Sequence, residues 1–454
     1  MCAFDAHPRP PAALRHPAKR ATGWQVISVD SIHKSSQIAR LSVPWAPPAS
    51  PAKEFDMRLF PSPQDADLIK EKQAQAIAAM DRLDIDAWLV FVREGGDSHI
   101  VSTIAGPEFI VQNAALMLTR DGRRIAILEP IDIQNGAGTH FDEIFDYERD
   151  IVPRLREVWA SVAPKRIALN YSRQHYAADG LTHGMYLRLA EALGSDFEAA
   201  AVSSEDVVLA TRAVKTETEI ARLTKACEIT VQVFEELAAH IRPGVTDSEL
   251  GAIAAARARE LGASAGEASI AVNGPGRNEK GPLGKVVEAG QVVLFDMGVL
   301  YEGYHSDNKY VWYVQDRDHP FPDILQRQWD ACRASADYAL AILKPGEWGY
   351  DVHDRAWAKL EEFDFPRDAH SYGHQIGRQV HDAGTWLGDA DNPYRPAKGR
   401  LEENMVFTLD PTINRVGRPD PDCYSMGVED IAQVTPEGGR LLHRPQSRIT
   451  VVDW

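Results

Sequence analysis

Cysteine is scarce in this 454-residue chain, and its four copies, Cys2, Cys227, Cys332 and Cys423, are too scattered for a disulfide framework or a CxxC metal knuckle. A reducing, cytoplasmic setting is expected from that usage. Long apolar runs are also missing: none approaches the ~20 residues that a membrane span needs, so no membrane partner is expected. The N-terminus lacks a compact apolar stretch followed by small residues, and export therefore has no support. Positive charge is in short supply, with 49 Lys and Arg against 66 Asp and Glu and a net charge of −17. Apart from a mildly basic N-terminal tail no Lys/Arg stripe offsets it, so a phosphate backbone would be repelled and nucleic acid is not an expected partner. What remains, 44% hydrophobic and 25% charged residues, is the make-up of an ordinary globular protein. The length exceeds what one core usually holds and predicts two domains.

Residues 1–56 differ from the rest. The stretches "HPRPPAALRHPAKR" and "VPWAPPASPAKEF" are rich in Pro, Ala and basic residues and poor in periodic apolar positions, which predicts a disordered or loosely docked extension. Met57 is a candidate natural start, because ordered patterning begins just after it. "QDADLIKEKQAQAIAAMDRLDI" has helical spacing, "DAWLVFV" and "KRIALNYS" read as strands, and "NAALMLTRDGRRIAILEP" reads as a hairpin around Asp121-Gly122. "GMYLRLAEALG" predicts a helix ended by Gly194. The alternation predicts an α/β domain over residues 57–204. A second unit, 205–454, opens on a long amphipathic helix in "TRAVKTETEIARLTKACEITVQVFEEL", stopped by Pro243-Gly244 before Thr246 or Asp247 caps the next. Two further helices are expected in "DILQRQWDACRASADYALAIL" and "GYDVHDRAWAKLEEF", followed by strands to the C-terminus.

Chemistry concentrates in that second unit. "LFDMGVLYEGYHSDNKYVWYV", residues 294–314, reads as two strands around a tight turn, yet it places Asp296 and Asp307 eleven residues apart. A hairpin can bring both carboxylates to one face, where they repel unless a cation lies between them. Other ligand types follow: His370, His374 and His381 in "HSYGHQIGRQVHDAG", Asp410 at the end of "MVFTLD", and Glu429 in "MGVED". Taken singly, each has a plainer reading as a turn or strand-end residue.

Taken together, the order Asp, Asp, His, Asp, Glu, each on or beside a short strand, resembles the pita-bread metallopeptidases, the superfamily of methionine aminopeptidase, prolidase, aminopeptidase P and the metal-free creatinase. The resemblance covers nearly all of residues 57–454, and "RAVKTETEIARLTKACEIT" and "IRPGVTDSEL" resemble the opening helices of the proline-specific branch. It implies a creatinase-type N-terminal α/β domain followed by a pita-bread catalytic domain. It also implies that Asp296 binds a first metal, that His374 and Asp410 bind a second, and that Asp307 and Glu429 bridge the two around a hydroxide. Four carboxylates would then be neutralised by two divalent ions, for which oxygen-rich ligation with one His suits Mn(II), with Zn(II), Co(II) or Fe(II) as alternatives. His381 matches the substrate-facing histidine that stabilises the oxyanion, Asp410 the proton carrier, and His370 a further active-site histidine. The implied activity is hydrolysis of Xaa-Pro dipeptides by a homodimer; the alternative is action on another small nitrogen-containing or zwitterionic molecule, as in creatinase.

The sequence departs from the family at several places. Asp410 stands where Glu is usual, and the missing methylene retracts the carboxylate by about 1.5 Å, which predicts a weaker second metal. Lys309 replaces a small hydroxyl residue after the second Asp, and its ammonium is a candidate partial substitute for a cation. "NGPGRNEKGPLGKVVEAGQ" lacks a substrate-positioning histidine, "MGVED" lacks the arginine before the final acid, and Asn414 lies near the place of a proton-shuttling tyrosine.

Because residues 1–56 have too little periodic apolar patterning to bury a core, a chain starting at Met57 should fold and keep its activity. A truncated protein that fails to fold, by circular dichroism and size-exclusion chromatography, would contradict this.

Overall fold

The computed structural model describes residues 63–454 except 97, 107–109, 278–280, 282–283, 394–395 and 414–420. The expected N-terminal extension, 1–56, and Asn414 lie outside the described residues. Among them, no helix is long and apolar enough to cross a membrane.

The first sheet has six strands in the spatial order Glu143–Asp146, Arg124–Leu128, Ala114–Thr119, Ala87–Val92, Ile167–Leu169, Ala201–Ser203. The expected hairpin is present, with Ala114–Thr119 and Arg124–Leu128 paired antiparallel and Gly122 at φ +95°, a left-handed turn position suited to glycine. The central strand, Ala87–Val92, is buried at every residue, so it reads as a continuous apolar run rather than an alternating one. The helix Pro63–Arg82 packs its apolar side on this sheet through Ala76 and Met80. The helix His183–Leu193 ends at Gly194, φ 78°.

The second half opens on the long helix Glu217–Leu237. Thr216 caps it reciprocally with Glu219, the side chain of each accepting from the other's backbone N–H, and Thr246 and Glu249 repeat the arrangement at the next helix, Asp247–Glu260. These helices cover one face of a sheet ordered Thr450–Asp453, Asn308–Gln315, Val292–Tyr301, Ser264–Asn273. Strand periodicity sorts its side chains. Val293, Phe295, Met297, Tyr310 and Trp312 point to that face, where Phe234 stacks on Tyr310 at 4.9 Å. Val292, Leu294, Val311 and Tyr313 point to the other, against the helices Asp323–Ile342 and Gly349–Glu361 through Trp329, Ala336 and Trp357. Asp296 and Lys309 belong to this second set by parity, and they are direct partners across the antiparallel ladder.

A smaller sheet, Val406–Leu409, Asp430–Thr435, Gly438–Leu441, closes over the same face. Isolated bridges join it to its neighbours, Lys309 to Glu429 and Gln375 to Phe407. Close backbone approach makes this possible. A Cβ on Gly373 would stand 1.9 Å from the Thr408 carbonyl oxygen, and one on Gly298 would stand 1.7 Å from that of Ser306. Neither segment has room for a side chain, and each lies within two residues of a candidate ligand.

Gly373→Ala must therefore push the His374 segment off the strand Val406–Leu409. Overpacking against backbone costs at least ~1–3 kcal/mol, so the urea midpoint should fall measurably and metal affinity with it. An unchanged midpoint would contradict the tight packing.

Candidate metal centre

Five elements converge on the open end of the second sheet. Asp296 projects from the strand Val292–Tyr301, and Asp307 sits just before the strand Asn308–Gln315. His374 follows Gly373 in a loop held against the strand Val406–Leu409: its backbone N–H donates to Thr408 Oγ1 at 3.3 Å, and its carbonyl accepts from the Thr408 N–H at 2.9 Å. Asp410 directly follows that strand, its N–H donating to the Tyr372 carbonyl at 2.8 Å. Glu429 immediately precedes the strand Asp430–Thr435. The sequence could place each acid on or beside a strand; beyond the hairpin that carries Asp296 and Asp307, only pairing between segments distant in sequence brings them together.

The side chains divide into two groups. In the first, one ligand atom from each of Asp307, His374 and Glu429 lies within 4.8 Å of the others. His374 Nε2 is 3.5 Å from Asp307 Oδ2 and 3.9 Å from Glu429 Oε1. Its Nδ1 is 3.1 Å from the Gln375 carbonyl, which can only accept, so Nδ1 donates there and Nε2 is the nitrogen turned toward the carboxylates. Two carboxylates and a neutral imidazole are a fitting donor set for a divalent transition-metal ion.

In the second group Lys309 takes the centre. Its ammonium is 2.8 Å from Asp410 Oδ1 and 3.4 Å from Asp296 Oδ2, and it contacts Glu429 Oε2. The Lys309 side chain is 1% exposed. Asp410 Oδ1 also accepts from Thr412 Oγ1 at 2.8 Å, while Oδ2 lies 3.7 Å from His370 Nε2. Asp410 thus turns toward Lys309, Thr412 and His370 and is not part of the compact group around His374.

Burial, and then the Asp307 and Asp410 carboxylates, push the Glu429 carboxyl well above its ordinary range against the pull of Lys309. A further cation is what such a residue needs in order to ionise.

His381 is exposed above the centre, its ring 4.4 Å from that of His374 and 5.3 Å from Trp386. Its neighbour Asp382 anchors the loop. Burial opposes its ionisation, but Arg212, at 2.5 Å, and Lys215 hold its carboxyl below the usual range. The Tyr176 hydroxyl, from the first half of the chain, donates to the His381 carbonyl. Trp386, Thr412 and Tyr176 were not singled out by the sequence. Nothing in their local pattern marks them: Tyr176 reaches the site through a contact distant in sequence, while Thr412 and Trp386 lie close in sequence to Asp410 and His381 but are turned toward them by the fold.

Comparison with known proteins agrees with this architecture. Residues 221–436 match the model of metallopeptidase family M24. That segment, 221–436, is similar to the M24 metallopeptidases. Over 306 residues, 64% of this chain and 77% of the relative, it is 26% identical to the Xaa-Pro dipeptidase of Lactobacillus delbrueckii subsp. lactis. Among solved structures it is similar to an Xaa-Pro dipeptidase from Bacillus anthracis, with TM-score 0.68 and 22% identity over 85% of this chain and 100% of the other. It is also similar to a dipeptidase from Mycobacterium ulcerans, with TM-score 0.70 and 22% identity over 86% and 99%. At those identities the structures establish the fold: an N-terminal α/β part followed by the pita-bread M24 domain.

The raised Glu429 carboxyl has a testable sign. Below the ordinary carboxylate range, about pH 4, folded and unfolded chains are both protonated there and its contribution to stability is complete. As pH rises, the unfolded chain ionises first, so stability of the metal-free protein should fall until the folded pKa is passed. Glu429→Gln should flatten that decline in urea unfolding, and it should also weaken Mn(II) binding. An identical pH profile in the variant would contradict the assignment.

Proposed function

We propose that this protein is a divalent-metal-dependent hydrolase of the prolidase kind, cleaving the X-Pro bond of dipeptides. Residues 57–204 serve as its creatinase-type N-terminal domain and 205–454 as its catalytic domain. The observation that carries the reading is the Asp307, His374 and Glu429 group, buried or half-buried beneath His381 in an M24 fold. The names of similar proteins, Xaa-Pro dipeptidases and dipeptidases, supply the substrate class. Mn(II) is the ion we assign to a site of two carboxylates and one imidazole. We further propose a homodimer located in the cytoplasm, where the buried thiols of Cys227, Cys332 and Cys423 would stay reduced.

Asp307, His374 and Glu429 would hold the ion, which when bound supplies an activated water and polarises the scissile carbonyl. The chain's own groups divide the remaining work. His381, held against His374 and Trp386 at the solvent side, is placed to donate a hydrogen bond to the developing oxyanion. His370, beside Asp410, is placed to move a proton between the carboxylate and the leaving group. Trp386 and the anchored 377–383 loop keep the His381 ring oriented, and Trp357 packs on that of His370 at 5.3 Å.

Lys309 favours a second reading, action on another small nitrogen-containing or zwitterionic molecule, because a cationic side chain already occupies part of the acidic floor. The test is a screen of the Mn(II)-loaded protein against X-Pro dipeptides, guanidino compounds and betaine-like compounds. Turnover of X-Pro dipeptides, lowered ~10²–10³-fold in kcat by His381→Ala as for loss of an oxyanion donor, is expected. Turnover confined to the other classes would replace the peptidase reading with the second.

A further inference from the structure

Three strands set the position of Lys309. It faces Asp296 across the ladder between Val292–Tyr301 and Asn308–Gln315, and its backbone bridges to Glu429, whose carbonyl accepts the Lys309 N–H at 3.4 Å. The ammonium is therefore delivered to one place by backbone register. The flexible stem has almost no freedom left, since the side chain is 1% exposed.

That place is ringed by carboxylate oxygens from Asp296, Asp410 and Glu429. Three acceptors match the three protons of an ammonium. The two oxygens of Glu429 face different groups: Oε2 contacts the ammonium, and Oε1 faces His374 Nε2 at 3.9 Å. A carboxylate placed to bridge two cations thus has one of them built into the chain.

A divalent ion ligated by Asp296 would stand ~2.0–2.2 Å from its carboxylate oxygen, while that oxygen is 3.4 Å from Nζ. Sharing Glu429 Oε2 as well, such an ion would crowd the ammonium in a buried site, where like charges repel strongly. The Asp296 and Asp410 side therefore does not fit a metal with Lys309 in place. The Asp307 and His374 side does.

We infer that Lys309 is a resident monocation filling the Asp296–Asp410 half of the centre, so that the protein takes one divalent ion, at Asp307, His374 and Glu429, and not the two that the sequence resemblance implies. The inference rests on the proposed metal centre. It changes the role of two residues: Asp296 and Asp410 become partners that position the lysine, and the shortened Asp410 is suited to an ammonium 2.8 Å away.

The test counts ions. Full-length wild type and Lys309→Thr are equilibrated with excess Mn(II), freed of unbound ion and analysed for metal per chain, with calorimetry for affinity. The wild type should hold one Mn(II), and Lys309→Thr should hold one more. Asp296→Asn, in an otherwise wild-type chain, should leave the Mn(II) count unchanged, whereas His374→Ala should abolish it. Two ions in the wild type, equal counts in wild type and Lys309→Thr, or loss of Mn(II) in Asp296→Asn would each overturn the inference. If Lys309→Thr does not fold, the wild-type count and Asp296→Asn still decide it. A wild type with no Mn(II) and a Lys309→Thr variant with one would uphold the lysine's role while refuting the metal centre at His374.

Discussion

Buried carboxylates must be matched by positive charge, and in this protein that constraint is met first by the chain itself. Lys309 stands among Asp296, Asp410 and Glu429, with its stem covered by the sheet that carries it. Leaving any one of these acids ionised without a partner would be expensive, since breaking a buried pair costs roughly 3–5 kcal/mol. The ladder pairing of Asp296 with Lys309, and the bridge from Lys309 to Glu429, follow the same geometry. Charge balance and strand register are thus one device.

The rest of the fold supports it. Glycines at 298 and 373 let backbone segments approach so closely that Asp307 and His374 face the sheet end. The helices Asp323–Ile342 and Gly349–Glu361 pack beneath, with Trp329, Ala336 and Trp357 in the apolar floor. Arg212, on the helix Glu205–Ala213, pairs with Asp382, and from the first half of the chain Tyr176 bonds to the His381 carbonyl. The α/β half therefore helps to hold the loop that carries the exposed histidine, and the described residues form one compact unit.

Much of this was legible in the sequence. The cap read at Thr246 or Asp247, which falls on Thr246, the Asp121-Gly122 hairpin and the Gly194 stop rest on local chemistry, and they appear where that chemistry places them. The ligand types could be read because acids at strand ends and a histidine between glycines are conspicuous in an apolar context. Where each side chain turns could not. A missing methylene in Asp410 suggested a loosened second metal, but that side chain is turned toward Lys309 and Thr412, and the Lys309 partnership depends on pairing among strands far apart in sequence. Trp386 and Tyr176 were silent for the same reason: their contacts are tertiary.

The central claim is that one cation of this centre is covalently part of the protein and the other is a metal. Crystals soaked in Mn(II), with diffraction collected at an energy where manganese scatters anomalously, test it most directly. One anomalous peak should appear between Asp307, His374 and Glu429, with Lys309 Nζ still in contact with Asp410 and Glu429. A second peak between Asp296 and Glu429, with the lysine displaced, would contradict it.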